Sequence, residues 1–183
     1  DEGDDDSEYS SSSAALIALD PELPTGARDR VEFGSVRSFG CNVTVGTALE
    51  QSPLSPHVLT WVHKTAIGGH FCRHTGYRVL NASYAYGTVP HIAKHPILPL
   101  LVVAGTSKGT PSGSSPVGVW LQQIDFRDLS TIRSASLIAF ATEPPPGGPP
   151  PIFFGQLSVD HLEIDVFGSV TVAGPLSGFI PGM

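Results

Sequence analysis

Apolar and polar residues alternate from Gln156 to Val166: Leu157, Val159, Leu162, Ile164 and Val166 form one set, Gln156, Ser158, Asp160, Glu163 and Asp165 the other. A period of two predicts a half-buried β-strand. The phase slips once, at Asp160 and His161, where an added residue returns the apolar set to its face, as a bulge or bend does. Upstream lies Glu143–Pro151, a Pro/Gly run that can be neither helix nor central strand. This stiff connection joins the final strand to Leu137–Thr142, a second short apolar run.

The same pattern recurs earlier in the chain. Val31–Phe39 and Cys41–Val45 alternate, with Gly34 and Gly40 as points where a bend or close approach is cheap. Val58–Lys64, His70–Tyr86 and Val117–Leu121 read as further strands, separated by Pro- and Gly-bearing loops that include 51–57 and 110–116. Pro96–Gly105 is the most apolar run, and its unbroken character predicts a strand covered on both faces. Asp128–Arg133 is expected to hold one helical turn or a tight loop, capped by Asp128 or Ser130. About eight strands without a long helix give an all-β class of two facing sheets.

Composition sharpens this picture. A chain of 183 residues with 40% hydrophobic content can bury one core, and Gly 20 and Pro 17 favour turns over helices. Residues 1–13 are acidic and serine-rich and cannot bury enough apolar surface to offset their ordering entropy. The expected organisation is an arm over 1–27, a folded domain over 28–173 and a tail over 174–183. A sharper expectation for the arm is docking on a basic surface of a neighbouring subunit, with phosphorylation at Ser7. The net charge of -7 argues against nucleic-acid binding through overall charge. No window has the length and apolarity of a transmembrane helix and no signal peptide opens the chain, so no membrane partner is expected.

Candidate chemistry is sparse. There is no Gly-x-Ser-x-Gly elbow, no phosphate-binding glycine loop and no His-Glu-x-x-His, so neither an enzyme nor a cofactor is expected. Cys41 and Cys72 are expected as buried free thiols, with a disulfide as the alternative. His70, Cys72 and His74 would share one side of a strand, with His63 nearby, but their spacing matches no compact zinc pattern. His91 and His95 lie between Pro90 and Pro96, which deny them a helix face. Structural or surface roles are expected for all of them. Asn42 and Asn81 open glycosylation sequons but fall within predicted strands, so both are expected unmodified.

The stretch Gly155-Gln156-Leu157-Ser158-Val159-Asp160-His161-Leu162-Glu163-Ile164, behind its Pro/Gly loop, resembles the last shell strand of single-jelly-roll coat proteins. These belong to small icosahedral RNA viruses, chiefly of plants, of the sobemovirus, tombusvirus and tymovirus type; His161 stands where their pattern has Tyr. Tyr77–Tyr86 followed by Pro90 is similar to a middle strand and connection of the same shells, and together the likeness spans the last two-thirds of the chain. It implies an eight-stranded antiparallel jelly-roll sandwich with Pro/Gly-rich loops. Its function would be a coat protein that self-assembles into an icosahedral capsid around an RNA genome. The implied partners are copies of itself, other capsid proteins and the packaged RNA; the implied location is the virion, assembled in the host cytoplasm.

Departures from the family pattern limit what carries over. No basic N-terminal arm is present, so either a basic segment lies upstream of Asp1 or the inner face of the shell holds RNA weakly. Arg28, Arg30 and Arg37 are the candidate RNA contacts, against ordinary solvation or pairing with Asp29 and Glu32. Where related shells place calcium-binding aspartates, Thr106–Gly109 follows the apolar strand; no metal site is expected, Asp125 and Asp128 being the nearest hard-oxygen candidates. Ile152, Phe153, Phe154, Phe179, Ile180 and Met183 are the candidate subunit contacts. Two other readings stand beside this one: a β-sandwich module binding carbohydrate or protein through Trp61, Trp120, Tyr84 and Tyr86, and an extracellular trimeric jelly-roll ligand.

Overall fold

Ten β-strands and no helix are formed by the residues that the computed structural model describes: 19–20, 22–23, 26–51, 56–68, 72–83, 89–107, 117–140 and 158–175. The first sheet contains β1 (Ala27–Ser38), β2 (Cys41–Gln51), β3 (Pro56–Ala66) and β4 (Gly76–Ser83), antiparallel and in chain order. The second contains β5 (His91–Lys94), β6 (Leu100–Ser107), β7 (Val117–Asp125) and β8 (Thr131–Phe140), also in chain order. A hairpin of β9 (His161–Ile164) and β10 (Val170–Ala173) stands apart from both ladders.

Alternation explains how these pieces stack. Cross-strand partners share a face, so Val43 opposite Lys64 and Val45 opposite Val62 point the same way. With Cys41 the three valines meet Leu101, Val103, Trp120 and Ile124 of the second sheet in one buried cluster. The other parity of β6 turns outward: Val102 packs with Leu121 and Ile164, and Ala104 packs with Val119 and Val159. β6 is therefore covered on both faces, by the first sheet and by the β9–β10 segment, as its unbroken apolar run predicts. Successive strands stay in one sheet as meanders, whereas a jelly roll exchanges them between sheets.

Each sheet also seats a tryptophan on a glycine across the ladder, Trp61 opposite Gly46 and Trp120 opposite Gly105. A β-carbon at either glycine would run into the facing indole, so the missing side chain is what lets the ring lie flat on the neighbouring strand.

Several boundaries differ from the sequence expectation. The packed region starts earlier than residue 28: Leu23 is buried with Ala48 and Trp61, and the carbonyl of Asp20 accepts the N–H of Tyr77 at 2.7 Å. At the other end, Gly174 lies directly against the Ser158 carbonyl, within the region expected as a tail. The strand expected over Gln156–Val166 is, among the described residues, only β9, and the phase slip at Asp160–His161 marks its beginning. Val170–Ala173 is a strand that the pattern reading missed. Residues 126–130 form a turn without a helix, in which Asp128 caps the N–H of Ser130 at 2.8 Å.

Candidate functional site

Contacts around Phe126 bring the chain connections together at one end of the sandwich. Its ring meets Phe39, in the β1–β2 turn, edge to face at 5.9 Å, and its N–H donates to Pro99 in the β5–β6 turn. Lys64, near the end of β3, donates to the Arg127 carbonyl at 2.7 Å in the β7–β8 turn. β9 descends from the level of Ala104, where Val159 packs, to that of Val102 and Leu100, where Ile164 packs. The β9–β10 turn therefore emerges at this same end.

The turns here carry large apolar side chains into solvent, and each turn is held by a group of its own. Phe167 keeps 90% of its surface exposed and Val166 half, while Asp165 Oδ1 accepts the N–H groups of Phe167 and Ser169, both at 2.8 Å. Ile97 and Leu98 stand out from the β5–β6 turn, where buried His95 accepts their two N–H groups on Nδ1 at 3.1 and 3.0 Å. Phe39 is 60% exposed, although φ values of 48° at Phe39 and 72° at Gly40 put both turn residues in the left-handed region. A two-residue hairpin asks for this backbone, but a phenylalanine there costs roughly 1–2 kcal/mol. Ile67, exposed beside it, donates its N–H to the Gly40 carbonyl at 3.0 Å. Counting Ile132 at the start of β8, seven of the ten large apolar side chains exposed among the described residues belong to this end.

Behind the Phe39 turn, Cys41 and Cys72 form a disulfide that ties the β3–β4 connection to the start of β2. The expected free thiols are corrected: β2 and β3 run side by side, so the returning chain brings Cys72 within 5.2 Å of Cys41, Cα to Cα. The pairing also removes the sulfur from any His70–Cys72–His74 metal edge, and His70 lies outside the described residues. Charges sit in the same turns. Arg127 grips both oxygens of Asp125, and its hydrogen bonds hold that carboxyl below the usual carboxylate range. Burial pushes the Lys64 ammonium down, while Asp128 and Asp125 push it back up.

The other candidates are dispersed. Arg28, Arg30 and Arg37 are all exposed on β1, but the register shift between Arg28 and Val31 divides them. Arg28 faces Leu49 across the ladder, Arg37 faces Asn42, and Arg30 lies 5.6 Å over the Tyr77 ring, which itself stacks on His63 at 3.8 Å. Asp125 is occupied by Arg127, Asp128 caps its turn, and no group of metal-holding side chains forms among the described residues. Trp61 and Trp120 are 1% and 8% exposed, so neither offers a stacking surface for the carbohydrate reading. Ile152, Phe153, Phe154, Phe179, Ile180, Met183, Tyr84 and Tyr86 lie outside the described residues.

Sequence reasoning missed the turn end itself, although local signals for its pieces were present. Asp165-Val166-Phe167-Gly168 has turn-forming Asp and Gly around two apolar residues, and Pro96 and Pro99 bracket Ile97 and Leu98. No protein-family model, curated protein or solved structure matches the chain.

Proposed function

We propose that the chain is a self-assembling structural subunit, the coat protein of a small icosahedral RNA-virus shell. The observation that supports this most is the gathering of exposed apolar side chains in clamped turns at one end. A subunit that must meet identical neighbours needs rigid, preformed apolar contacts outside its own core. The jelly-roll form of the reading rests on the likeness of Gly155–Ile164 to a shell strand, since the described sheets are meanders. Arg28, Arg30 and Arg37 remain the candidate RNA contacts, exposed along β1.

Light scattering and negative-stain microscopy of the purified chain test the proposal. Closed particles of megadalton mass are the expected result, and a chain that stays monomeric under all mild conditions overturns it. The Cys41–Cys72 disulfide favours a second reading, the extracellular trimeric ligand, because such bonds persist in oxidising compartments. A stable trimer in the same measurement would select that reading.

A further inference from the structure

We infer that the outer edge of β4 is a strand-accepting surface whose occupant is the chain's own segment 14–19, paired with it antiparallel as a fifth strand of the first sheet. The inference goes beyond the self-assembly reading and stands whether or not copies associate. Residues 14–18 lie outside the described ones; the seat of Leu19 and Asp20 carries the argument. Among the described residues, β4 has no ladder partner on this side beyond one antiparallel bridge, Asp20 to Tyr77, in which the Tyr77 N–H donates to the Asp20 carbonyl at 2.7 Å. Because Tyr77 donates outward, strand alternation sends the N–H of Val79 out of the same edge. The bridge also sets the register, which brings Ala18 opposite Val79. A β-carbon on Gly76, whose φ is 143°, would stand 2.6 Å from the Asp20 carbonyl oxygen and 3.0 Å from the Leu19 β-carbon. Only glycine lets the incoming chain lie this close to the start of β4.

The side chains give the pairing a reason to continue upstream. Ala14, Ala15, Leu16, Ile17, Ala18 and Leu19 form an uncharged apolar run directly behind the acidic and serine-rich residues. Leu19 packs half-buried on the inter-sheet core, and so does Leu80 of β4. In an extended segment Ile17 falls on the same face as Leu19, where its burial beside Leu80 closes this side of the core. Ala18 falls on the opposite face beside Val79, which packs half-buried on the cluster of Leu23, Ala48 and Trp61. A run that meets apolar groups on both faces has the pattern of a strand covered on both sides. An open strand edge is a template for strands of other chains, so closing it from within leaves copies to meet elsewhere.

Amide hydrogen exchange of the full chain, for the wild type and for Ile17→Asp and Ala18→Pro separately, tests the inference. The first variant puts a charge on the core side of the paired segment, and the second removes the N–H that meets the Val79 carbonyl. Circular dichroism and a thermal melt establish that each variant is folded. The Val79 N–H is expected to be protected in the wild type and to exchange at least about tenfold faster in each variant. The Arg78 N–H, turned inward to Val62, is expected to keep its rate. A Val79 N–H that is unprotected in the wild type, or that exchanges at one rate in all three chains, overturns the inference. Equal acceleration of Arg78 overturns it too, since the whole strand is then loosened rather than its edge uncovered. Protection of Val79 that falls on dilution gives the edge to the segment of a second copy and overturns the pairing within one chain. Sedimentation of the same samples decides the self-assembly reading separately.

Discussion

Leu101 and Phe167 are both large apolar side chains of the same antiparallel assembly, yet the first has no exposed surface and the second keeps nearly all of its own. Leu101 lies between the sheets with Val43, Val62 and Ile124, where burial contributes roughly 1.5–3 kcal/mol to folding. Phe167 contributes almost nothing of that kind, but the backbone beneath it is fixed by Asp165. The interior thus spends its apolar residues on stability, while the turn end holds them ready in solvent. Phe39 sharpens the contrast, since it keeps an aromatic in a left-handed turn position that glycine or asparagine would fill more easily.

The comparison is most easily broken from the interior side. Leu101→Ala is expected to destabilise the chain by about 3–5 kcal/mol, read from urea unfolding, because a residue between two packed sheets leaves a cavity that cannot collapse. A cost near zero would mean that the two sheets do not share a packed core. Removing the disulfide with Cys41→Ala and Cys72→Ala comes next. The bond closes a 31-residue separation, and its loss is expected to cost roughly 2–4 kcal/mol, seen as a lower Tm that matches the reduced wild type. An unchanged Tm in the oxidised and reduced protein would show that the two thiols are unpaired in solution.

What could be read in advance follows from whether a signal is local. The alternation in Cys41–Val45 and the solid apolar run of Pro96–Gly105 are local; the first became the strand it predicts, and of the second the part from Leu100 onward joined β6 while Pro96–Pro99 became the turn before it. Asp160–His161 was a true signal: Val159 and Ile164 reach the same sheet across the slip, where His161 pairs with Ala173 and the Asp160 N–H also donates to the Ala173 carbonyl at 2.9 Å, two residues against one as in a bulge. Val170–Ala173 is four residues between glycines, too short for periodicity to separate it from loop. The disulfide and the turn end lie further out of reach. Cys41 meets Cys72, and Phe39 meets Phe126, only once strands far apart in sequence have been registered against one another.

Asp165 offers the smallest and most specific perturbation of the turn end. The N–H groups of Ser169 and then Phe167 hold its carboxyl below the usual carboxylate range. A depressed folded value means that the carboxylate stabilises the turn above the unfolded value and loses this as pH falls through the folded one. Asp165→Ala is expected to leave the Tm unchanged, because the turn touches little of the core, while weakening self-association a few-fold by loosening Phe167. Asp165→Asn keeps an acceptor oxygen and should associate normally, with less loss than the wild type as pH falls below about 4. Asp125 is also depressed, by its hydrogen bonds from Arg127, so some acid sensitivity should survive in Asp165→Asn. If all of it survives, the acid response of this end belongs to the Asp125–Arg127 pair and the β7–β8 turn, and Phe167 does not depend on its clamp.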